Sequence, residues 1–362
     1  MENSSLKLID LGEDKILQDL ILPIFKSTRK IFVENGDDCA AFFPLGTGET
    51  IVSTIDPCPT PVINLISEND YYYYGWFTLI INVSDLAAMG ATPIGLMVST
   101  VMPEDMLVRD YMRFLQGLSE ASTKYQCPIV GGNIKDGKEF SATGSAFGSV
   151  HPKNIVTRQG AKEGDFIGVI GDMGHFGSAT IAKLKEISIP SEFQIIENAL
   201  RNPAPKIFEG IELAKQNTLN CCMDSSDGVS ACLMTLANVN KLDFNIDLKK
   251  FNPHEAVKWL CDIVNLEFEK VMLSWGNWEL VVTLSSDKLD QASKILSQFN
   301  TPFTIIGTVS KGSGRVTATK DGKKGLLTDF GSYRFNKNSF FSHGIEQYFD
   351  SMFNLPLFEE NH

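Results

Sequence analysis

The sequence predicts an α+β protein of two domains. Its 362 residues are enough for two sizeable cores. Apolar patterns of period 2, typical of strands, and of period 3.6, typical of helices, follow one another without a regular βαβα order. This mixture favours α+β over a doubly wound sheet. We place an N-terminal domain at 1–152, a C-terminal domain at 153–340 and a tail at 341–362.

Bulk composition narrows the class of protein. With 43% hydrophobic and 21% charged residues, the chain has the composition of a globular protein, and its net charge of −12 argues against a general nucleic-acid or membrane binder. The polar N-terminus does not resemble a signal peptide, and no apolar run is long enough to span a bilayer. Seven cysteines without a CxxC pair indicate reduced thiols in a cytoplasmic protein.

The first domain is expected to begin with a helix over 6–27, followed by a polar loop and two strands around the turn GTGE. A proline-rich loop, DPCPTPV, comes next. Trp76, Leu79 and Val83 recur at helical spacing and predict a helix over 70–89. The remaining elements are a strand, an amphipathic helix, a strand that ends in a glycine pair, and a last strand: IGLMVSTVMP, EDMLVRDYMRFLQGLSEASTKYQ, PIVGGNIK and FSATGSAFGSV.

The second domain is expected to open with a hairpin-like segment, NIVTRQGAKEGDFIGVIGD, and a glycine-rich turn that leads into a helix. LNCCMDSSDGVSACLMTLANV reads as strand, acidic loop and helix, and VMLSWGNWELVVTLS as two strands. A helix and a strand follow, then a hairpin whose turn is Asp321-Gly322, because Asp-Gly suits a type I′ turn. Apolar residues at helical spacing indicate that the tail packs on this domain.

Acidic residues stand where apolar elements end, at Asp38, Asp56, Asp85, Asp224 and Asp227. Taken singly, each is typical of a cap or a turn. As a set on the ends of rigid elements they indicate chemistry, since Mg²⁺ in phosphoryl-transfer sites is held by a few carboxylates and by substrate phosphates. Their spacing fits no EF-hand.

The glycine-rich turn GDMGHFGSAT lies between a strand and a helix and is a candidate phosphate cradle, although it is neither GxGxxG nor a Walker A motif. Arg158 is a candidate phosphate partner, with an exposed charge on a hairpin as the alternative. His175 lies inside the turn, where a packing role is the alternative to a chemical one. The sequence contains no GxSxG elbow and no HExxH motif.

The order of these motifs resembles that of the thiamine-monophosphate kinase family. This family belongs to the aminoimidazole ribonucleotide (AIR) synthetase superfamily, together with selenophosphate synthetase and the carbamoyl-dehydrating hydrogenase maturation protein. The similarity runs from about residue 30 to about residue 310. RQGAKEGD favours the kinase branch. The motifs, in chain order, are GDDCA, STID, NVSDLAAMGATP, PIVGG, TRQGAKEGD and DSSDG.

The resemblance implies a two-domain AIR synthetase-like fold whose N-terminal sheet forms a barrel across a homodimer. It also implies ATP as co-substrate between the domains, several Mg²⁺ ions and a small-molecule acceptor, with no nucleic-acid or membrane partner. Phosphoryl transfer depends on positioning and charge neutralisation, so no general base is required. The implied metal ligands are Asp38, Asp56, Asp85, Asp224 and Asp227, and the implied ATP contacts are Gly131, Gly132, Arg158 and Ser226.

The same resemblance implies why Asp85 lies in an apolar segment. A buried, unpaired carboxylate is costly, and a magnesium–phosphate site would neutralise it. Asn82 lies three residues earlier on the same helix face, and we expect it to orient Asp85.

This chain departs from the family pattern mainly on the acceptor side. Ile55 replaces a threonine, Asn133 replaces the aspartate of GGD, and the family's substrate-binding histidine is missing from PCPTPVIN. SWGNWEL replaces GGEDYEL, so the substrate-facing glutamate is lost. Asn277 and Trp278 become the candidate acceptor-site residues, while Glu279 matches the last acid and is expected to be structural.

Three functions remain open from sequence. The first is an ATP- and Mg²⁺-dependent kinase acting on thiamine monophosphate or a related phosphate. The second is an AIR synthetase-like enzyme that phosphorylates a carbonyl or amide oxygen before a nucleophile displaces the phosphate. The third is a non-catalytic nucleotide-binding paralogue, which Ile55 and Asn133 motivate.

Overall fold

The computed structural model describes residues 50–331 and 344–360, with the short stretches 19–20, 23–24, 31–33 and 41–42. Asp38 and most of the helix predicted over 6–27 lie outside the described residues. The chain divides into two compact units. Unit 1 comprises Met1–Leu86 and Ala91–Lys153, and unit 2 comprises Ala87–Gly90 and Asn154–His362.

Unit 1 contains a four-stranded sheet in the order β3-β6-β4-β5, in which only β4 and β5 are parallel. A separate antiparallel pair is formed by β1 and β2. The elements are β1 (Ile31–Val33), β2 (Ala41–Phe42), β3 (Thr50–Pro57), α1 (Val62–Ile66), α2 (Tyr71–Ala88), β4 (Thr92–Met102), α3 (Val108–Lys124), β5 (Ile129–Asp136) and β6 (Ser141–Val150).

Helix α2 covers one face of this sheet. Its apolar stripe, which includes Leu79 and Val83, is fully buried, as its period predicts. Glycines on β6 allow the close approach: a Cβ at Gly148 would lie 3.0 Å from the Cβ of Ala91, and one at Gly144 would collide with the side chain of Asn82. The helix is therefore held close enough to the strands for its polar residues to reach them.

The opposite face of the sheet carries exposed apolar side chains. Ile51 and Ile55 alternate on β3 and are 59% and 67% exposed, and Met97 on β4 is 37% exposed. These three side chains form an exposed apolar patch on this face of the sheet. The described strands of unit 1 form no closed barrel.

Unit 2 is built on an eight-stranded sheet in the order β14-β13-β12-β9-β11-β7-β10-β8, with only β9 and β12 parallel. The elements are β7 (Phe166–Ile170), α4 (His175–Leu184), α5 (Gln194–Arg201), α6 (Ile207–Lys215), β8 (Cys221–Asp224), α7 (Val229–Asn240), β9 (Leu242–Asp247), α8 (Glu255–Val264), α9 (Phe268–Leu273), β10 (Leu280–Leu284), α10 (Leu289–Ser297), β11 (Phe303–Lys311), β12 (Val316–Lys320), β13 (Lys323–Leu327), α11 (Ile345–Phe353) and β14 (Phe358–Glu360).

The predicted hairpin of β12 and β13 is confirmed, because Asp321 and Gly322 both have positive φ, as a type I′ turn requires. The tail packs on unit 2, as predicted: Tyr348 Oη donates to the carbonyl of Gly331 at 2.9 Å, and β14 pairs with β13. No described helix is long and apolar enough to cross a membrane.

Three predicted elements are wrong. Residues 155–165 form no hairpin, because their backbone amides bond the side chains of Asn240 and Asp165 and carbonyls elsewhere in unit 2 rather than one another across a strand pair. The segment predicted as two strands provides helix α9 and a single strand, β10, since a short apolar run does not distinguish helix from strand. The pair Gly131-Gly132 lies inside β5, which continues to Asp136.

Candidate functional site

In unit 1, helix α2 and strand β3 bring two of the predicted aspartates onto one face. Thr54 and Asp56 are two residues apart on β3 and so point to the same side of the sheet. Thr54 Oγ1 donates to Asp85 Oδ2 at 2.6 Å, which is short enough for a charge-assisted bond. Asp56 and Asp85 are both half-buried. The hydroxyl of Thr54 is thus the group that orients Asp85, and sequence reasoning did not identify it.

Asn82 has a different partner from the one predicted. Its Oδ1 accepts from the backbone amide of Asp56 at 3.2 Å, and its Nδ2 donates to the carbonyl of Thr78 at 2.9 Å. The side chain is completely buried. The prediction that Asn82 orients Asp85 is therefore wrong, because the pleat of β3 presents the Asp56 amide to Asn82. Asn82 thus holds the backbone of Asp56 within β3 against helix α2.

The departure at Ile55 does not touch this cluster. Ile55 lies between Thr54 and Asp56, so its side chain points to the opposite, exposed face of the sheet. The hydroxyl that bonds Asp85 comes from Thr54, the residue before Ile55.

The glycine pair and Asn133 follow one another on β5, an edge strand. Gly131 is half-buried, while Gly132 and Asn133 are exposed. A Cβ at Gly132 would collide with the backbone of Val98 on the neighbouring strand, so no larger residue fits there. The glycine is thus required by strand packing.

In unit 2 the DSSDG segment forms a tight loop between β8 and α7. Asp224 ends β8 and is buried, whereas Ser226 and Asp227 are half-exposed. The amide of Gly228 donates to the carbonyl of Ser225 at 2.8 Å, and Gly228 has a φ of 109°, a conformation that favours glycine. The acidic loop predicted from sequence is confirmed.

Ser225 and Glu279 lock this loop to the start of β10. The Ser225 hydroxyl donates to Glu279 Oε2, the Glu279 amide donates to Ser225 Oγ at 2.8 Å, and the Ser225 amide donates to the Glu279 carbonyl at 2.9 Å. Glu279 is completely buried, and burial raises its pKa to about 7 although the Ser225 hydrogen bond opposes the shift. This contact supports a structural role for Glu279.

The loop also concentrates negative charge. Burial raises the pKa of the Cys232 thiol well above its usual value, and the carboxylates of Asp224, Asp227 and Glu279 raise it further, while Arg158 lowers it. No group of three His, Cys, Asp or Glu side chains in the described part of the chain is arranged to hold a metal ion. The oxygen donors therefore suit Mg²⁺ only where phosphate or water oxygens complete its shell.

Arg158 lies in a loop that Asn240, the last residue of α7, holds in place. Asn240 Nδ2 donates to the carbonyl of Arg158 at 2.9 Å, and its Oδ1 accepts from the amides of Gly160 and Ala161 at 2.8 and 3.0 Å. Arg158 itself is exposed, and its guanidinium makes no hydrogen bond or ion pair with the described residues of its own unit. The loop is rigid while the side chain remains available.

The altered SWGNWEL segment forms a buried turn before β10. Asn277 Oδ1 accepts from the amide of Phe176 at 2.8 Å and so caps helix α4 from outside the helix. Trp278 is buried and has a φ of 55°, a strained conformation for a bulky residue. Trp275 packs against Phe349 of the tail, with ring centroids 5.6 Å apart. Aromatic packing thus replaces acidic groups in this turn.

Several polar atoms around this turn are buried and have no hydrogen-bond partner among the described residues: His175 Nε2, Ser178 Oγ, Asn277 Nδ2 and Glu279 Oε1. His175 and Ser178 lie one turn apart on α4, which begins at His175 rather than later as predicted. Burial lowers the pKa of His175 to about 4, so its imidazole is neutral. Unpaired buried groups are costly and indicate sites where water or a ligand is bound.

Comparison with known proteins gives the same family as the motifs. The model for the N-terminal domain of AIR synthase related proteins matches residues 36–150. The chain is 30% identical to the thiamine-monophosphate kinase of Pyrococcus abyssi over 281 residues, which are 77% of this chain and 84% of the relative.

Solved structures agree in fold. A thiamine-monophosphate kinase from Stenotrophomonas maltophilia superposes with a TM-score of 0.74 at 25% identity, covering 84% of this chain and 96% of the other. AaThiL in complex with AMPPCP and TMP superposes with a TM-score of 0.69 at 25% identity, covering 91% and 99%. The chain belongs to the thiamine-monophosphate kinase family and has its two-sheet, AIR synthetase-like α+β fold.

Proposed function

We propose that this protein is an ATP-dependent kinase of the thiamine-monophosphate kinase type, transferring the γ-phosphoryl group of ATP to a small phosphorylated acceptor. The observation that carries the proposal is the DSSDG loop, where Asp224, Ser226 and Asp227 are held by the lock of Ser225 and Glu279. Membership of the family and the AaThiL complex with AMPPCP and TMP support ATP and thiamine monophosphate as the two substrates.

The carboxylates suit Mg²⁺ bound together with ATP phosphates. We assign Asp56, Asp85, Asp224 and Asp227 as ligands, with Asp38 assigned from the family motif alone. Each donor is an oxygen, as Mg²⁺ prefers, and the described carboxylates are too few in any one place to form a cage, so phosphate oxygens complete the shell. The bound metal supplies neutralisation of the charge that develops on the transferred group.

The nucleotide is bound by the backbone of Gly131 and Gly132 on the edge strand β5, as the family resemblance implies, and by Arg158 and Ser226. Arg158 contributes a permanent positive charge with several donors. An acceptor phosphate oxygen attacks the γ-phosphorus in line as the bond to ADP breaks, and the acceptor phosphate needs no general base because it is already ionised at neutral pH.

The acceptor is bound near Asn277 and Trp278, and this is where the chain departs from its family. Three buried polar atoms near this turn have no hydrogen-bond partner among the described residues: Asn277 Nδ2, His175 Nε2 and Ser178 Oγ. The family pattern has an aspartate where this chain has Asn277, so the acceptor that best pairs with this neutral amide differs from thiamine monophosphate or is bound differently. A site rejects a substrate that leaves its buried polar groups unpaired, by up to several orders of magnitude.

We also propose a homodimer in which the four-stranded sheets of two subunits form a barrel. The exposed Ile51, Ile55 and Met97 on one face of the sheet support it, since contiguous exposed apolar side chains mark protein–protein contact sites. Sedimentation at micromolar concentration should give a dimer for the wild type and a monomer for Ile55→Asp. A wild-type protein that sediments only as the 40 kDa monomer contradicts the dimer.

One observation favours the AIR synthetase-like reaction instead, namely the replacement of GGEDYEL by SWGNWEL. The two reactions differ in their products. The protein is incubated with ATP and Mg²⁺ and, in turn, thiamine monophosphate, other small monophosphates, and amides with an added amine, and the products are identified by mass spectrometry.

A phosphorylated monophosphate with ADP supports the kinase. A new carbon–nitrogen bond with ADP and inorganic phosphate supports the alternative. Nucleotide binding without turnover of any acceptor identifies a non-catalytic paralogue and contradicts both enzymatic proposals.

A further inference from the structure

The loop that carries Arg158 has no regular secondary structure. The Asn240 side chain bonds three of its backbone groups, next to a bond from the Cys222 amide to the Thr157 carbonyl at 3.0 Å. Residues 155–165 contain no strand or helix. The Asn240 side chain makes four hydrogen bonds: to the carbonyls of Arg158 (2.9 Å) and Leu236 (2.8 Å), and from the amides of Gly160 (2.8 Å) and Ala161 (3.0 Å). Its whole hydrogen-bonding capacity is used.

These four bonds connect the Arg158 loop to the DSSDG loop through one helix. Asn240 is the last residue of α7, and α7 starts directly after Asp227 and Gly228. The bond to the Leu236 carbonyl anchors the Asn240 side chain to its own helix. An α-helix transmits position along its axis with little flexing, so Asn240 fixes the backbone of Arg158 relative to the acidic loop at the other end.

Gly160 shows why this contact is specific. It has a φ of 132°, and a Cβ there would collide with the carbonyl of Asn220. This left-handed bend turns the amides of Gly160 and Ala161 toward the Asn240 oxygen. An aspartate could accept these two bonds, but it could not donate to the carbonyl of Arg158.

We propose that Asn240 is a positioning residue for nucleotide binding: it holds the Arg158 backbone so that the exposed guanidinium meets the ATP phosphates. The inference rests on the proposed function. A guanidinium held in place loses less conformational freedom on binding than one on a mobile loop, so Asn240 contributes to ATP affinity without touching ATP.

The test is a double-mutant cycle on the full-length protein, with ATP dissociation constants measured by calorimetry in Mg²⁺. Asn240→Ala is expected to weaken ATP binding about tenfold, as removal of an orienting partner usually does. Where turnover is measurable, KM for ATP rises while kcat and KM for the acceptor stay unchanged. Asn238→Ala, on the exposed side of the same helix end, is the matched control and should leave ATP binding unchanged.

The cycle separates positioning from a general loss of structure. In an Arg158→Ala background, Asn240→Ala should change the ATP dissociation constant by less than about twofold, because the group it positions is gone. Asn240→Asp keeps the two accepted bonds, and its ATP dissociation constant should lie between those of the wild type and Asn240→Ala. This variant still tests the proposal if Asn240→Ala does not fold.

Additive effects of the two substitutions, or an Asn240→Ala protein that binds ATP like the wild type, overturn this inference while leaving the kinase proposal intact. An Arg158→Ala protein with wild-type ATP affinity also overturns it, together with the assignment of Arg158. A wild-type protein that binds no ATP contradicts the kinase proposal itself.

Discussion

Two loops beside strands of the unit 2 sheet differ in their charge and in the hydrogen bonding of their polar groups. In DSSDG, Asp224 and Asp227 add charge, and Ser225 and Glu279 satisfy the backbone through three reciprocal hydrogen bonds. In SWGNWEL, aromatic side chains fill the turn, and the buried Asn277 Nδ2 has no hydrogen-bond partner in the described part of the chain. DSSDG is one of the motifs that carry the family resemblance, whereas SWGNWEL differs from GGEDYEL at its first five positions. The proposed function therefore assigns the nucleotide to DSSDG and the altered acceptor site to SWGNWEL.

The largest expected effect is at the retained acidic residues. Asp85→Asn keeps an oxygen that accepts the Thr54 hydrogen bond but removes the negative charge. We expect Mg²⁺-dependent ATP affinity and kcat/KM to fall by about a hundredfold or more, as for loss of a group that stabilises transition-state charge. Calorimetry measures the ATP affinity, and thermal unfolding shows whether the variant is still folded.

Asp105→Asn, an exposed carboxylate in the same unit, is the control and should behave as wild type. If Asp85→Asn unfolds, or binds Mg²⁺–ATP normally, the metal assignment is wrong.

The second effect concerns the pH dependence of stability. The pKa of Glu279 is raised to about 7 in the fold, above its unfolded value, so its contribution is fully present below about pH 4.5 and is lost as the pH rises through 7. Glu279→Gln removes this dependence. Without metal or nucleotide, the variant should gain up to roughly 3 kcal/mol of stability relative to wild type between pH 5 and pH 8.

Denaturant unfolding at the two pH values measures this. The same wild-type-to-variant difference at pH 5 and pH 8 would show that Glu279 does not titrate in this range, and that burial does not raise its pKa as expected.

The third effect tests whether the SWGNWEL loop serves the acceptor and not the nucleotide. Asn277→Ala removes the cap on the Phe176 amide and should cost about 1 kcal/mol of stability. It should raise KM for the true acceptor several-fold and leave the ATP dissociation constant unchanged. A weakened ATP affinity would mean that the SWGNWEL turn belongs to the nucleotide site, and the contrast between the loops would fail.

The smallest effect is at Ile55. Ile55→Thr restores the family residue, but the side chain points away from Asp56 and Asp85. ATP affinity should change by less than about twofold, because the substituted side chain lies on the face of β3 opposite Asp56. A large gain in affinity would place Ile55 at the nucleotide and contradict the orientation of β3.

The long periodic elements were predictable from sequence, and the partners of single side chains were not. The helix predicted over 70–89 is α2, Tyr71–Ala88, because eighteen residues of apolar period leave little ambiguity. Asn82 was assigned to Asp85 because the two share a helix face, whereas its partner is the Asp56 amide, which only the pairing of helix and strand brings near.

The acidic loops were found because charge next to glycine at the end of an apolar strand is visible in one sequence. Thr54, Ser225 and Asn240 were missed, since a hydroxyl or an amide in an apolar run has no local signature of the distant backbone it bonds. The turn at 274–279 was mistaken for part of a strand pair because its strained residue, Trp278, is not a residue that sequence rules expect with positive φ.

The central claim is that the protein transfers phosphate from ATP although its acceptor turn has changed. A single-turnover experiment tests it most directly, with enzyme in excess over ATP labelled in its γ-phosphate, Mg²⁺ and saturating thiamine monophosphate. We expect label to appear in thiamine diphosphate with the wild-type protein, at a rate below the turnover that is typical of kinases. With Asp85→Asn no label should appear there. Label that stays in ATP with wild-type protein, for thiamine monophosphate and for every other phosphate acceptor tested, would contradict the account.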